Sequence, residues 1–330
     1  MTPSTIWLRP DLQFPPIFDT IFFDVDGVLI KTTNSFRITD LVVPEYVVGT
    51  LHGLDWGQSD GKALVTIADV EAFKQAGGYN DDRNMCYLLA SLFTARHREW
   101  LGTSLAERSI TEWAALSRTA QLQGHGGQEW VDTVIPVSAR LDYALISDLY
   151  HETYWGASEY RKRFGREPRY LPDFKGLVQN EEMLFQPNLF AKLRNAGITG
   201  MGLITGRIGP EVDSALERLE AYSGECWWQV VVPANLYTKP DPMALRYAIA
   251  QVGMRGGLYI GDTADDFDLV RLYRESQLEK ESPILAAMVA HGSDVALYQE
   301  RGADLIVSSV EELLDVLADT HVKKSVETSM

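Results

Sequence analysis

Short apolar runs alternate with amphipathic segments through the second half of the chain. The apolar runs cover residues 200–204, 227–232, 258–260, 284–289 and 305–307. Segments with helical spacing of apolar residues lie between and beside them, at 187–195, from Pro210 to Leu219, and at 241–252, 264–275, 295–301 and 310–317. Runs this short are typical of buried strands, and their alternation with helices predicts a parallel, doubly wound sheet. We therefore expect an α/β fold built on a Rossmann-like sheet.

Two features near the start of the chain complete this picture. Residues 18–26 are predicted to form a buried strand, because the apolar run Ile21-Phe22-Phe23 is followed by acidic residues and a glycine, as expected for a strand that leads into a functional loop. Residues 31–186 instead carry helical patterns, near 68–76, 81–99, 104–118 and 139–154. The sequence thus predicts a core of residues 1–30 and 187–330, with a mainly α-helical domain of residues 31–186 inserted into it.

Composition narrows the class of protein. The chain has 330 residues, of which 45% are hydrophobic, which suits two globular domains better than one. Its formal net charge is −16, and its densest basic cluster is Arg161-Lys162-Arg163. A protein that binds duplex nucleic acid needs a basic face to neutralise phosphates, so we expect no nucleic-acid partner.

The cysteines and the apolar runs predict the cellular localisation of the protein. The two cysteines, Cys86 and Cys226, lack the spacing of a zinc site, and Cys226 lies in an apolar run where we expect it to be buried. No apolar run approaches the roughly 20 residues that span a membrane, and the first residues do not form a signal peptide. We expect a cytoplasmic protein without a membrane partner; a homo-oligomer is compatible with the sequence.

Polar side chains follow the predicted strands. They are Asp24 and Asp26 after the first strand, then Thr205, Gly206 and Arg207, then Lys239, and finally Asp262 and Asp266. Each has a structural explanation when taken alone, such as a turn, a surface lysine or a helix N-cap. Ligands of parallel sheets bind at the carboxyl ends of strands, so the joint occurrence of these residues predicts a single active site.

The residue types suit phosphoryl transfer. Asp24 can attack phosphorus as a nucleophile, and Asp26 can donate a proton to the leaving oxygen and later accept one from water. Mg²⁺ would relieve repulsion among the carboxylates, with Asp262 as a further ligand and Asp266 supporting the ion indirectly or through water. Lys239 supplies a positive charge to the nucleophile and the phosphoryl oxygens.

The remaining residues of this set are candidates for substrate binding. Thr205 offers a hydroxyl, and a neighbouring backbone N–H, to phosphate oxygens; Gly206 and Lys239 join it as predicted phosphate contacts. Arg207 is a candidate for substrate contact, with a structural salt bridge as the alternative. His125 and His151 are possible proton donors, although lone histidines in a helical domain are usually incidental.

The order of these motifs resembles that of the haloacid dehalogenase-like (HAD) superfamily. Asp24-Val25-Asp26-Gly27-Val28 matches the first motif, Thr205-Gly206 the second, Lys239 the third, and Gly261-Asp262 with Asp266 the fourth. The resemblance implies a Rossmann-like core, Mg²⁺ held by Asp24, the backbone carbonyl of Asp26 and Asp262, and transfer through an aspartyl-phosphate. An aspartate at position 26 also implies phosphate-ester chemistry, because superfamily members that cleave carbon–halogen bonds usually carry another residue there.

The inserted segment resembles the superfamily's helical cap. Residues 69–82 look like a segment of a little-characterised phosphatase branch, and they could present Lys74, Asn80 or the adjacent Arg83 to a substrate, or simply join helices. We predict a Mg²⁺-dependent phosphatase acting on a small phosphorylated metabolite. A sugar-phosphate mutase of the same superfamily and a non-catalytic binding protein on the same fold are the alternatives.

Overall fold

The computed structural model describes residues 6–79, 81–97, 110–278 and 280–318. The chain divides into two compact units: the first contains residues 1–31 and 182–330, and the second contains residues 32–181. The second unit is therefore an insertion in the first, with its ends at Thr32 and Glu181.

The second unit is helical throughout its named elements. The helices are α1 (Phe36–Glu45), α2 (Ile67–Ala76), α3 (Asp82–Ala95), α4 (Ile110–Leu122), α5 (Gly127–Val134) and α6 (Tyr143–Phe164). A π-helical turn, Tyr46–Leu51, continues α1, and short 3₁₀ turns lie at Gln58–Asp60, Val137–Ala139 and Leu177–Asn180. Their buried apolar side chains form one continuous core within this unit. The sequence patterns near α2, α3, α4 and α6 predicted helices there, whereas α1 and α5 were not predicted.

Local sequence explains where several of these helices begin and bend. Thr66 caps α2, because its hydroxyl accepts from the backbone N–H of Asp69 while the Asp69 carboxylate accepts from the backbone N–H of Thr66. Helix α6 kinks at Gly156, whose φ of 71° is unfavourable for other residues. A Cβ there would lie 2.2 Å from the carbonyl carbon of Lys175, so glycine also permits close backbone packing at the kink.

The first unit contains the sheet. Its strands are β1 (Trp7–Leu8), β2 (Thr20–Phe23), β3 (Ile30–Lys31), β4 (Glu182–Met183), β5 (Gly200–Ile204), β6 (Val230–Val232), β7 (Gly257–Gly261), β8 (Ile284–Val289) and β9 (Leu305–Val307). The main sheet has the order β1-β9-β8-β7-β2-β5-β6, in which only β1 is antiparallel to its neighbour. Strands β3 and β4 form a separate antiparallel pair. The predicted α/β fold with a Rossmann-like parallel sheet is confirmed.

Helices and buried side chains cover the sheet on both faces. The helices are α7 (Leu189–Asn195), α8 (Pro210–Ser223), α9 (Met243–Val252), α10 (Ala264–Glu275) and α11 (Ser293–Arg301), and a 3₁₀ turn, Val310–Glu312, leads into helical residues 313–318. Side chains alternate along each strand, so Phe23 enters one apolar cluster and Phe22 the other. Within the described part of the chain, no helix is long and apolar enough to cross a membrane.

One expectation about packing is wrong. Cys226 is exposed, not buried. The run predicted as a strand from residue 227 forms a strand only over Val230–Val232, and Cys226 lies in the preceding connection from α8. Trp227, the next residue, is the one that packs into the core.

Candidate active site

The central strand of the sheet delivers Asp24 to its carboxyl end. Strand β2 lies between β5 and β7, and Asp24 follows directly after its last residue, Phe23. The backbone N–H of Asp24 donates to the carbonyl of Ile260 at 2.8 Å, which fixes Asp24 against β7. A tight turn follows, in which the N–H groups of Leu29 and Ile30 both donate to the carbonyl of Val25. A buried carboxylate is therefore held on a rigid element.

Lys239 bridges two carboxylates that come from different elements, because Asp24 follows β2 and Asp266 lies in the first turn of α10. Its Nζ lies 2.9 Å from Oδ1 of Asp24 and 2.6 Å from Oδ1 of Asp266, and none of the three side chains is more than 9% exposed. Burial disfavours the charged form of Lys239, but the charges of Asp24 and Asp266 outweigh burial and raise the pKa of the ammonium. Burial raises the pKa of Asp24 to about 7; Lys239 opposes this shift, while Asp266 and Asp26 add to it.

Asp266 is saturated with hydrogen bonds. Besides Lys239, its donors are the hydroxyl of Tyr259 at 2.5 Å, the hydroxyl of Thr263 at 2.6 Å, and the backbone N–H groups of Thr263 and Asp262 at 3.0 and 3.2 Å. Burial alone would raise the pKa of Asp266, yet the charge of Lys239 and these hydrogen bonds lower it. Asp266 thus forms the capping box of α10 with Thr263 and also anchors Lys239, so the helix-capping explanation holds for this side chain.

Asp262 has unused acceptor capacity. One oxygen each of Asp24, Asp262 and Asp266 lie within 4.8 Å of one another, as in a site that could hold a metal ion. Oδ1 of Asp262 is buried and accepts no hydrogen bond from the described residues. Burial, and then the negative charges of Asp266 and Asp24, raise the pKa of Asp262 well above its usual range.

Gly27 allows Asp262 to approach the loop after β2. Its φ of 76° is in the left-handed region, and a Cβ at this position would lie 2.0 Å from Oδ2 of Asp262. A larger residue would push the carboxylate away from the loop. The first and fourth sequence motifs are therefore in direct contact. Glycine is required at position 27 both because a side chain would collide with Asp262 and because the backbone is in the left-handed region.

Asp26 is bound by Arg207 in a two-pronged ion pair. Nη2 and Nε of Arg207 donate to Oδ1 of Asp26 at 2.7 and 3.0 Å, and Nε also lies 3.2 Å from Oδ2. The Arg207 side chain is 1% exposed, and that of Asp26 is 28% exposed. The sequence left two roles open for Arg207, a substrate contact or a structural salt bridge, and the structure contains the salt bridge.

Thr205 and Gly206 form the beginning of the loop after β5. The Thr205 hydroxyl is buried and accepts from the backbone N–H of Arg207 at 3.1 Å, while the N–H of Thr205 itself donates to Val232 within the sheet. That N–H is consequently not free for a phosphate. Gly206 is exposed, and no described atom would lie within 4 Å of a Cβ there, so space is open beside it.

Two tyrosines of the site escaped the sequence interpretation. Tyr259 lies in β7 and joins Asp266 and Lys239 through its hydroxyl; burial, followed by the charge of Asp266, raises its pKa well above normal. Tyr298 of α11 donates to the backbone carbonyl of Asp262 at 3.0 Å. A polar-tipped residue inside an otherwise apolar strand was a usable signal for Tyr259, whereas nothing in the sequence pattern links Tyr298 to Asp262.

The candidates in the second unit have partners inside that unit. Lys74 pairs with Asp82, and Arg83 pairs with Asp81. His125 is exposed and lies 3.0 Å from Glu129. His151 packs against aromatic rings, and Asn80 falls outside the described residues.

Comparisons with solved structures extend the likeness to nearly the whole chain. The chain is similar to phosphatase Tt82 from Thermococcus thioreducens, with 25% identity and a TM-score of 0.59, over 91% of this chain and 99% of that one. It also shares a fold with a protein from Haemophilus somnus 129PT described as a predicted phosphoglycolate phosphatase (12% identity, TM-score 0.50, 91% and 97% covered). The chain therefore shares its fold with solved phosphatases. All four motifs of the sequence interpretation lie in the first unit.

Comparisons at the level of sequence add nothing to this likeness. No protein-family model matches the chain, and no curated protein matches it significantly. A HAD-superfamily hydrolase of subfamily IA from Geobacter sulfurreducens PCA is also matched, more distantly, with 16% identity and a TM-score of 0.37 over 91% of this chain and 96% of that one. The likeness to solved phosphatases is thus one of three-dimensional structure rather than of overall sequence.

Proposed function

We propose that this protein is a Mg²⁺-dependent phosphatase that hydrolyses the phosphate monoester of a small metabolite through an aspartyl-phosphate on Asp24. The observation that carries the proposal is the contact of Lys239 with Asp24 at 2.9 Å, beside Asp262 and Asp266, at the carboxyl edge of a parallel sheet. A buried carboxylate next to a fixed cation, with acidic neighbours, suits attack on an anionic phosphorus centre. The likeness to a phosphatase over nearly the full length of both chains supports the same chemistry.

The residues present fit Mg²⁺. This ion prefers oxygen ligands, and Asp262 offers a buried oxygen that accepts no hydrogen bond from the described residues. Asp24, Asp262 and the backbone carbonyl of Asp26 would hold the ion. Asp266, whose oxygens already accept several hydrogen bonds, would support the ion indirectly or through water. When bound, Mg²⁺ would offset the mutual repulsion of the carboxylates and the substrate phosphate.

The side chains of the site have different roles in two successive chemical steps. In the first, an oxygen of Asp24 forms a bond to phosphorus, the ester P–O bond breaks, and Asp26 gives a proton to the departing oxygen. In the second, water attacks the same phosphorus, Asp26 takes a proton from that water, and inorganic phosphate leaves as Asp24 is regenerated. Lys239 and the Thr205 hydroxyl hold phosphoryl oxygens through both steps.

Chain order supports a role for the second unit. It is inserted between Asp24 and Thr205, where the helical cap of the superfamily is expected, and we propose that it excludes water and selects the substrate. The composition that predicts a cytoplasmic protein without a nucleic-acid partner makes a soluble phosphorylated metabolite the proposed substrate class.

The test compares Asp24→Asn with a matched control. We expect Asp24→Asn to lower turnover of p-nitrophenyl phosphate with Mg²⁺ by about 1000-fold or more, because the amide cannot act as the nucleophile. Asp11→Asn, at a side chain that is 81% exposed, should leave turnover unchanged. Removal of Mg²⁺ with EDTA should abolish turnover and readdition should restore it. Undiminished activity of Asp24→Asn would rule the proposal out.

Two further measurements separate the alternatives. Phosphorus NMR of a hexose 1-phosphate distinguishes release of inorganic phosphate, expected for a phosphatase, from the isomerisation expected for a mutase. Calorimetric titration with Mg²⁺ should show binding that Asp262→Asn weakens; absence of binding to the native protein would favour a non-catalytic role.

A further inference from the structure

The ion pair between Asp26 and Arg207 joins a reactive residue to a buried one. The two side chains are 181 positions apart in sequence and come from the loops after adjacent strands, β2 and β5. The Arg207 side chain is 1% exposed, whereas 28% of the Asp26 side chain is exposed. The partner that can meet a substrate is therefore Asp26, and Arg207 lies behind it.

The hydrogen bonds of Arg207 point inward rather than toward a ligand. Nε and Nη2 bind Asp26, and Nη1 lies 3.5 Å from the backbone carbonyl of Glu211. The backbone N–H of Arg207 donates to the Thr205 hydroxyl, so both ends of the residue are fixed. A planar guanidinium that makes several such bonds holds a carboxylate in one orientation, which lysine cannot do.

The two oxygens of Asp26 are bound unequally. Oδ1 accepts two hydrogen bonds from Arg207, at 2.7 and 3.0 Å, whereas Oδ2 has one contact, at 3.2 Å. The ion pair consequently occupies Oδ1 and leaves Oδ2 with the greater capacity to bond a reacting group. Proton transfer needs such a group within hydrogen-bond reach, and small misplacements are costly.

We infer that Arg207 is a positioning residue that acts through Asp26, orienting its carboxylate so that Oδ2 exchanges protons with the reacting oxygen. This inference rests on the proposed function, because it assigns Asp26 the proton transfers of that reaction. In the first step the Asp26 O–H bond breaks as the leaving oxygen takes the proton; in the second, a proton from water restores it. Arg207 itself exchanges no proton and does not touch the substrate.

The test is a double-mutant cycle with two phosphate esters. Asp26→Asn, Arg207→Gln and the double variant are assayed with Mg²⁺ on phenyl phosphate and on p-nitrophenyl phosphate. The two leaving groups have similar shapes but differ in how much they need a proton. We expect Arg207→Gln to lower kcat/KM for phenyl phosphate by about 30-fold, and for p-nitrophenyl phosphate by less than about 5-fold.

The cycle separates action through Asp26 from an independent role. In the Asp26→Asn background, Arg207→Gln should change kcat/KM by less than about 2-fold, because the residue it positions is already inactive. Losses that multiply in the double variant, equal losses on both esters, or a higher KM at unchanged kcat would overturn the inference. The last of these would indicate that Arg207 binds the substrate directly.

Controls keep the result interpretable if a variant folds poorly. Arg207→Lys retains the charge but not the planar geometry, and it should reproduce the dependence on leaving group with a smaller loss. Arg246→Gln removes a comparable ion pair, with Glu281 at 2.7 Å, and should leave both rates unchanged. If the native protein hydrolyses neither ester, the proposed function fails; if it hydrolyses both and the losses multiply, only the role of Arg207 fails.

Discussion

Each unit of the protein buries a lysine among carboxylates, but the two clusters differ in their charge balance. In the first unit, Lys239 contacts Asp24 and Asp266, and the neighbouring Asp262 retains an oxygen without a hydrogen bond from the described residues. Even with Asp262 in the neutral form that its raised pKa favours, one ammonium faces the two carboxylates of Asp24 and Asp266. Burial of such an excess of negative charge is costly unless another cation joins the group.

The second unit contains the balanced counterpart. Lys74 pairs with Asp82 there, and Arg37 lies 2.7 Å from Glu71 and 3.7 Å from Asp82. Burial raises the pKa of the adjacent Asp40 well above its usual range, which favours its neutral form. Two cations then face two carboxylates across helices α1, α2 and α3.

The difference separates the proposed reactive cluster from a structural one. Both contain buried charges with short contacts, so burial and shifted pKa values alone do not identify an active site. What sets the first cluster apart is its surplus of carboxylates at the ends of parallel strands. A surplus of carboxylates can bind a cation and, with it, an anionic substrate. A cluster with equal numbers of cations and carboxylates mainly fixes helices in place.

Replacement of the first lysine should have the largest effect. Lys239→Met leaves Asp24 and Asp266 buried without their counterion, so we expect a loss of about 3–5 kcal/mol in the free energy of unfolding. Turnover of p-nitrophenyl phosphate by the folded fraction should fall by at least about 100-fold, because the charge that stabilises the phosphoryl group is gone.

Urea unfolding and steady-state kinetics measure these two effects separately. Lys192→Met, at an exposed position of α7, is the control and should change stability by no more than about 0.5 kcal/mol. Retention of full turnover by folded Lys239→Met would show that the first cluster is structural as well, and the contrast between the units would disappear.

Replacement of the second lysine should affect stability alone. Lys74 is 12% exposed in its side chain, and Lys74→Met removes its ion pair while Arg37 remains near Asp82. We therefore expect a smaller loss, about 2 kcal/mol, in the free energy of unfolding. The kcat/KM of the folded protein should stay within about 3-fold of the native value.

The control for this change is Lys62→Met, at an exposed position in the same unit, which should alter neither quantity. The reverse outcome is equally informative. A large fall in kcat/KM with little change in stability would mean that Lys74 contacts the substrate, which is the role that the sequence left open for it.

The sequence predicted the first unit better than the second. Strands β5, β8 and β9 and helix α10 have the predicted ends, because glycine, proline or polar residues bound each apolar run. Helix α1 was missed, and it contains Pro44 and adjacent valines, which are unusual inside helices. The two-residue strand β1 is too short to give a periodic pattern.

The contacts within the site were less predictable than its members. Motif order indicated that Asp24, Lys239 and Asp262 belong together, since the carboxyl ends of parallel strands meet at one edge. The pairing of Arg207 with Asp26 depends on β5 lying beside β2, and periodicity does not give strand order. Likewise, the contact between the Tyr259 hydroxyl and Asp266 depends on how α10 packs after β7, which the sequence pattern does not specify.

The smallest predicted effect concerns a histidine in the second unit. The ring of His151 lies 4.9 Å from that of Phe164 and 5.4 Å from that of Tyr150. Burial, assisted by the positive charge of Arg83, lowers the pKa of His151 to about 4. Its neutral form is therefore favoured in the folded protein, unlike the charged groups that surround Lys74.

The consequence is a loss of stability in mild acid. As the pH falls below about 6.5, the unfolded chain binds a proton at this position that the folded chain does not, and the loss continues until the pH reaches the folded pKa. We expect about 1–2 kcal/mol less stability at pH 5 than at pH 7 from this residue, after allowing for its partial exposure. His151→Phe keeps an aromatic ring in place and should remove that part of the pH dependence in urea unfolding. His125→Gln, at an exposed histidine of the same unit, should retain the native slope; an identical slope in His151→Phe and the native protein would mean that His151 is protonated as readily in the folded state as in the unfolded chain.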